Sequence, residues 1–466
     1  MAELVVIGGG IAGLGTALLA ARRGHTVALF EREARAPGSG RAGLDEDFFD
    51  WRRPGVPQAA QPHALLGAAR AVLRGELPDV YETLLRLGAR ERHELDWFGE
   101  RPPARPGDEH LVLTQTRRIV LESALTSALC AEPGAELRYG EPVTGLITAP
   151  TSRPPRVTGV RTAAGSYTAD LVVDAAGRLG GTEVRLAAAG CRPGVTECHR
   201  TGLAYFCRWY RLPGGRLDGP MRPWTVNGGT FAGCAVFPSD NGVFAVTLFV
   251  HTDDPTRAAL RDPDVFEAAA AMFPPGAAWL ALGAEPLSDV LPAAGLDNRW
   301  SASADEAGQP VVAGLIGVGD TLTHTNPTLA QGMSLALWAA RWVADHAEDQ
   351  PGSPGFAAAY HAWAKRTLKP WFDVQVTADR EIGERLATRR RAVGTRETGA
   401  LFDCALDDPE VMRARARVRH LMASPAEAYG APEIRRRVAA WLAARPGYEP
   451  NAGGPSRAAW ERITGI

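Results

Sequence analysis

Three glycines in the pattern Gly8-x-Gly10-x-x-Gly13 stand between an apolar run, Leu4 to Ile7, and an alanine-rich stretch, and Glu31 follows 23 residues after Gly8. That spacing fits a cradle for a dinucleotide. Gly8 permits a tight turn, Gly10 lets backbone N–H groups approach a pyrophosphate, and Gly13 lets the next helix pack close on its strand. Ile11 and Ala12 open that helix, whose N-terminus faces the phosphates. Glu31 lies near the distance of about 20 residues expected for an acid that bonds an adenosine ribose. Glu31 and its neighbour Arg32 are therefore candidate cofactor-binding residues.

The elements that must place these residues are legible around them. Residues 3–33 read as strand, glycine turn, helix and strand, a βαβ unit. Residues 35–62, rich in Gly, Pro, Arg and Asp, read as loop, and 64–87 as helical. Leu121, Leu125 and Leu129 recur every four residues in an amphipathic helix from 117 to 131. Short β-type runs follow from 136 to 177, and Asp240-Asn241-Gly242 between two apolar runs signals a hairpin in a second, mainly antiparallel sheet. The stretch 311–319 reads as another buried strand, Gly332 to His346 as a helix, and everything beyond Pro351 as helical and arginine-rich.

With 51 basic and 53 acidic residues among 466, the formal charge is −2, which argues against a nucleic-acid partner. The N-terminus lacks a basic leader, and the longest apolar stretch is broken by Pro274 and Pro275, so neither a signal peptide nor a membrane span is expected and a cytoplasmic location is. Six scattered cysteines and ten histidines form no metal-ligand spacing. No metal is expected; the oligomeric state is left open.

Three further motifs join the glycine turn. Arg118-Ile119-Val120-Leu121-Glu122 is an R-x-x-L-E helix start; Asp174-Ala175-Ala176-Gly177-Arg178 ends an apolar strand; and Gly319-Asp320 precedes Asn326-Pro327-Thr328-Leu329-Ala330-Gln331-Gly332-Met333. In this combination residues 1–345 resemble the FAD-dependent monooxygenase superfamily typified by para-hydroxybenzoate hydroxylase. The resemblance implies FAD, with Arg118 near its ribityl and phosphate region and the turn of Asp174 and Gly177 closing over the pyrophosphate. It places Gly319 and Asp320 on the ribityl chain, and Pro327, Gly332 and Met333 at the start of a helix aimed at the isoalloxazine. The positive end of that helix would stabilise an anionic reduced flavin.

The segment from Gly55 to Leu66 resembles a flavin-side loop of a bacterial branch active in natural-product pathways, which makes His63, with His324, a candidate catalytic residue. The activity so implied is reduction by a transient NAD(P)H and transfer of oxygen from O2 to an apolar or aromatic small molecule, the cofactor carrying the chemistry. Flavin-dependent halogenases are less similar. Gly233 and Ala235 stand where their W-x-W-x-I-P motif has tryptophans, and the two lysines, Lys365 and Lys369, come late in the chain. Geranylgeranyl reductase-like enzymes and flavin-bound cyclases that fold a polyene without net redox chemistry are the alternatives.

The fold expected is α/β: a Rossmann-like FAD-binding domain from residues 1–189 and 300–345, an antiparallel-sheet substrate domain at 190–299 and a helical C-terminal region at 346–466. Trp363, Trp371 and Phe372, aromatic residues in an otherwise polar segment, suggest that these helices cover the substrate entrance.

Overall fold

Four strand ends meet in register on one edge of a parallel sheet. The computed structural model of the chain describes residues 1–38, 40–51, 53–149, 153–389, 395–450 and 454–465. The sheet runs in the order Leu315–Gly317, Leu171–Asp174, Glu3–Ile7, Thr26–Glu31 and Ala135–Tyr139, all parallel. Ile7 pairs with Asp174 on one side and Phe30 on the other, and Gly317 pairs with Asp174. The residues that follow these ends, Gly8 to Gly10, Ala175 to Gly177 and Gly319 to Asp320, are thereby brought to one carboxyl edge, where open α/β sheets bind ligands.

The strands are apolar because both faces are covered. Helix Ile11–Arg22 buries Leu14, Leu18 and Leu19 on one side, and Gly15 lets it approach Leu337 of helix Gly332–His346. Val5, Ile7 and Val172 meet Leu146, Val157 and Val160 of a small antiparallel sheet on the other.

A second sheet is antiparallel throughout: Val226–Gly228, Ala232–Pro238, Val243–His251 and Leu203–Arg211, the last also pairing with Glu285–Pro286 and Leu291–Ala294. The hairpin turn expected at Asp240-Asn241-Gly242 joins two of these strands. One face packs on short helices through Phe266, Phe273 and Trp279, and the late helix Arg457–Thr464 returns to bury Trp460 there.

Several elements differ from the sequence reading. Residues 40–50 form a helix rather than a loop, because Leu44 and Phe48, one turn apart, are both buried and Phe48 packs edge-on against Trp209. The helical stretch 64–87 is two helices, Gly67–Glu76 and Pro78–Arg86, divided where Pro78 starts a new first turn. Only Leu315–Gly317 of the 311–319 stretch is strand. Positions 39 and 52 of the expected loop, and 390–394, 451–453 and 466 of the expected helical region, lie outside the described residues.

Candidate active site

Close approaches of backbone define a cradle at the sheet edge. Gly8 has a φ of +103°, and a Cβ there would come within 2.7 Å of the Ala175 carbonyl oxygen. A Cβ on Gly13 would collide with the Gly8 carbonyl, so strand and helix touch at that point. Gly319, with a φ of +58°, sits on Ala12, whose methyl would lie 2.7 Å from a Cβ at 319. Gly177 donates its N–H to Thr321 Oγ1 at 3.0 Å and faces the Asp320 side chain. The separated motifs therefore meet around the first turn of helix Ile11–Arg22, which has Gly10 as N-cap and no side-chain cap.

Arg118 reaches the same place. Its guanidinium lies where a Cβ on Gly10 would be 3.2 Å from Nη2, and its Nε donates to Glu122 Oε1 at 2.8 Å. Glu122 also accepts from Arg53 at 2.5 Å. Burial would raise the Glu122 carboxyl, but the charges of Arg118 and Arg53 outweigh it and hold the group below the usual range. Next to it Arg117, missed in the sequence, is wholly buried between Asp240 and Asp45.

The acidic members of the motifs mostly shape the loops. Glu31 accepts from the N–H groups of Gly9 at 2.5 Å and Glu33 at 2.8 Å, so it braces the glycine turn. Asp174 accepts from Ala176 N–H, Thr182 Oγ1 and Arg185 Nη2, which commits both its oxygens to its own turn. Arg32 is exposed and packs over Gly55. Asp320 is half-buried.

Helix Gly332–His346 also starts without a side-chain cap, after Pro327–Leu329 and Ala330 at a φ of +55°. Met333 packs partly buried against the main core. Gln331 Oε1 and Ser334 Oγ are buried there without a partner among the described residues. The preceding segment is gripped by the C-terminal region. Asp379 of helix Lys369–Thr388, 1% exposed, accepts from Asn298 (2.7 Å), Asn326 (2.9 Å), Gln375 (2.9 Å) and the Thr328 hydroxyl, while Tyr205 donates to Asn326 Oδ1 at 2.9 Å.

A cleft lies between strand Val112–Gln115, the antiparallel sheet at Val236 to Pro238 and the segment Met221 to Val226. His63 lines it, with Nδ1 on the Gln61 carbonyl at 2.8 Å. Burial and then the nearby charge of Arg118 push this imidazole down to about 4, so it is neutral near pH 7. His63 thus lines the cleft within range of the Arg118 charge. Its loop is tied at both ends, by Trp209 Nε1 on the Ala60 carbonyl and by Leu65 pairing with Thr114. His324 is buried, holds the Asp297 carbonyl through Nδ1 at 2.8 Å and does not line the cleft.

From the C-terminal region it is Arg419, not Trp363, Trp371 or Phe372, that lines the cleft. Trp363 stacks on Trp342, and Phe372 is fully buried near Trp300 and His199. The aromatic residues pack on the body of the protein, and the C-terminal region reaches the cleft through Arg419. Beneath Arg419, His420 accepts the Gly67 N–H on Nδ1 and so donates from Nε2 to Glu94 at 3.1 Å. Burial alone would raise the Glu94 carboxyl; Arg419 and His420 bring it down to about 2.

Cradle and donors suit FAD: close-approach glycines at a strand–helix turn, uncapped helix N-termini, a guanidinium over the turn and unpartnered polar atoms at the second helix. The fold is Rossmann-like α/β, a parallel sheet with glycine turns at its carboxyl edge beside an antiparallel sheet. Residues 3–44 match the family model described as FAD dependent oxidoreductase. Glycine oxidase of Pseudomonas putida is 30% identical over 39% of this chain, which spans 57% of that enzyme's length. Protein Rv3254 of Mycobacterium tuberculosis is 28% identical over 71% of this chain and 70% of its own.

Among solved structures, PqsL of Pseudomonas aeruginosa, a probable FAD-dependent monooxygenase, superposes with a TM-score of 0.59 at 16% identity, covering 83% of this chain and 99% of its own. The flavin-dependent brominase Bmp2 gives 0.60 at 16% over 94% and 99%. The p-nitrophenol 4-monooxygenase PnpA of Pseudomonas putida gives 0.60 at 17% over 91% and 100%. These similarities show a shared fold. No helix among the described residues is long and apolar enough to cross a membrane.

Proposed function

We propose that the chain is an FAD-dependent monooxygenase, reduced by NAD(P)H, that transfers oxygen from O2 to an apolar or aromatic small molecule. The observation that carries this reading is the position of His63, which feels the charge of Arg118 at the cradle and lines the cleft. A reactive cofactor in the cradle and a substrate in the cleft would be neighbours.

In this reading Gly8, Gly10, Ile11, Ala12 and Gly13 present backbone to the pyrophosphate, with Arg118 above it. Glu31 and Arg32 serve the adenosine end. Asp174 and Gly177 shape the covering turn, Gly319 and Asp320 hold the ribityl chain, and Pro327, Gly332 and Met333 set the helix start near the flavin ring. When bound, FAD supplies the transfer of electrons and activation of O2. The protein excludes water through Leu113, Trp224, Val236 and Phe237, which line the cleft. His63, neutral and with Nδ1–H donated to Gln61, keeps Nε2 as an acceptor for a substrate hydroxyl. His324 positions the backbone at Asp297.

Bmp2 matches the fold as well as PnpA does, so the cleft must separate oxygenation from halogenation. Neither lysine lines it: Lys365 is exposed, and Lys369 pairs with Glu197 and Asp373. The test mixes the purified protein with NADPH or NADH, with and without oxygen and aromatic candidates. Bleaching of the flavin, and nicotinamide oxidation accelerated by a substrate that gains oxygen, are expected. Failure of both nicotinamides to bleach the flavin would sink the oxygenase reading.

A further inference from the structure

We propose that Gln115 reads the substrate, and that the cleft takes a flat, largely apolar body presenting a neutral edge with adjacent hydrogen-bond donor and acceptor, as in a carboxamide or lactam. The proposal rests on the reading of this cleft as the substrate site and names the class of molecule bound there.

Gln115 is 2% exposed, yet neither Oε1 nor Nε2 has a hydrogen-bond partner among the described residues. Burying an amide this way is unfavourable, so such a group points to a ligand that completes it. Its direction follows from the strand. Leu113, Thr114 and Gln115 all line the cleft, but Thr114 commits its hydroxyl to Tyr81 at 2.9 Å on one strand face, while Leu113 and Gln115 share the other.

The charged groups around the cleft are already engaged. Arg92 holds Asp218 at 2.5 Å, and Arg419 holds Glu94 at 3.1 Å. Each guanidinium is thus already balanced by a carboxylate, which weakens its pull on an anionic ligand. A primary amide offers one acceptor and two donors in a plane, so its complement is a planar group with one of each, not an anion with acceptors alone. Trp224 and Phe237 supply flat apolar walls for the body of such a molecule.

The test is titration calorimetry on the purified full chain with three probes of one shape: 2-naphthamide, 2-acetonaphthone, which lacks the donor, and 2-naphthoate. The amide is expected to bind at least about tenfold tighter than either analogue, and Gln115→Leu to abolish that preference. Gln115→Met, equally long and without donors, replaces the leucine variant if that fails to fold. Equal binding of the three, preference for the naphthoate, no binding of any, or a preference that survives in both variants would overturn the proposal. Flavin content of the same sample is read from its colour. A yellow protein without amide preference defeats the Gln115 assignment alone, and a colourless one with that preference defeats the flavin reading alone.

Discussion

Arg117 and Asp240 form an ion pair with neither side chain exposed: Nη2 lies 2.6 Å from Oδ1, and the Arg117 backbone N–H donates to Oδ2 at 2.7 Å. One residue caps the helix that carries Arg118; the other turns the hairpin of the antiparallel sheet. The pair therefore fixes the cradle relative to the sheet that walls the cleft. Asp240→Ala leaves the buried Arg117 guanidinium with Asp45 alone and its backbone N–H without an acceptor, so it should cost about 3 kcal/mol in urea denaturation. Arg117→Met combined with Asp240→Leu should recover part of that loss, and a double variant worse than the single one would refute the account of the pair.

Gly319 tests the cradle by geometry. A side chain there needs a left-handed φ, which costs a non-glycine residue about 1–2 kcal/mol, and would also press on Ala12. Gly319→Val should lower FAD affinity by at least about tenfold in equilibrium dialysis, since more than 1.4 kcal/mol of distortion falls on the first turn. Wild-type affinity in this variant would mean that the two turns need not touch for binding.

Asp379 gives a prediction about the C-terminal region. All its contacts are donors, so Asp379→Asn sets an amide N–H against other N–H groups and should cost about 2 kcal/mol in thermal or urea melting. Because Asn326 and Thr328 lead into helix Gly332–His346, flavin fluorescence should change with it. Loss of stability with an unaltered flavin spectrum would confine Asp379 to packing.

The acid limb of stability should carry the signature of His63. Its folded-state value is depressed from 6.5 to about 4, so below about pH 6.5 the unfolded chain takes up a proton that the folded one refuses. Stability is lost across that window and is unaffected above it. His63→Gln should melt with a smaller drop between about pH 7 and pH 4 than the wild type. Glu94, depressed to about 2 from 4.5, acts lower: its contribution is present above 4.5 and fades toward pH 2. An equal or larger drop in the His63 variant would contradict the assignment.

What could be read in the sequence was what local spacing encodes. Gly8, Gly10, Gly13, Gly177 and Gly319 each announce a backbone constraint, and those constraints meet in space. The helix 40–50 was hidden because Gly and Asp composition outweighed two buried residues, Leu44 and Phe48, whose partner Trp209 is far along the chain. Arg117, Gln115 and Asp379 carry no local signal: an arginine before Arg118, a glutamine in a short strand and an aspartate in a polar helix gain their meaning from tertiary contacts alone. His63 and His324 looked equivalent as residue types, and only the cleft separates them.

If the motifs around Gly10 and Arg118 hold FAD, the cofactor content of the purified full chain shows it most directly. The purified chain should be yellow and release about one FAD per chain on denaturation, with Arg118→Ala and Gly10→Val each reducing that content without loss of fold, since a side chain at 10 meets only the Arg118 guanidinium. A colourless wild-type chain that takes up no FAD on reconstitution, or variants that retain it fully, would contradict it.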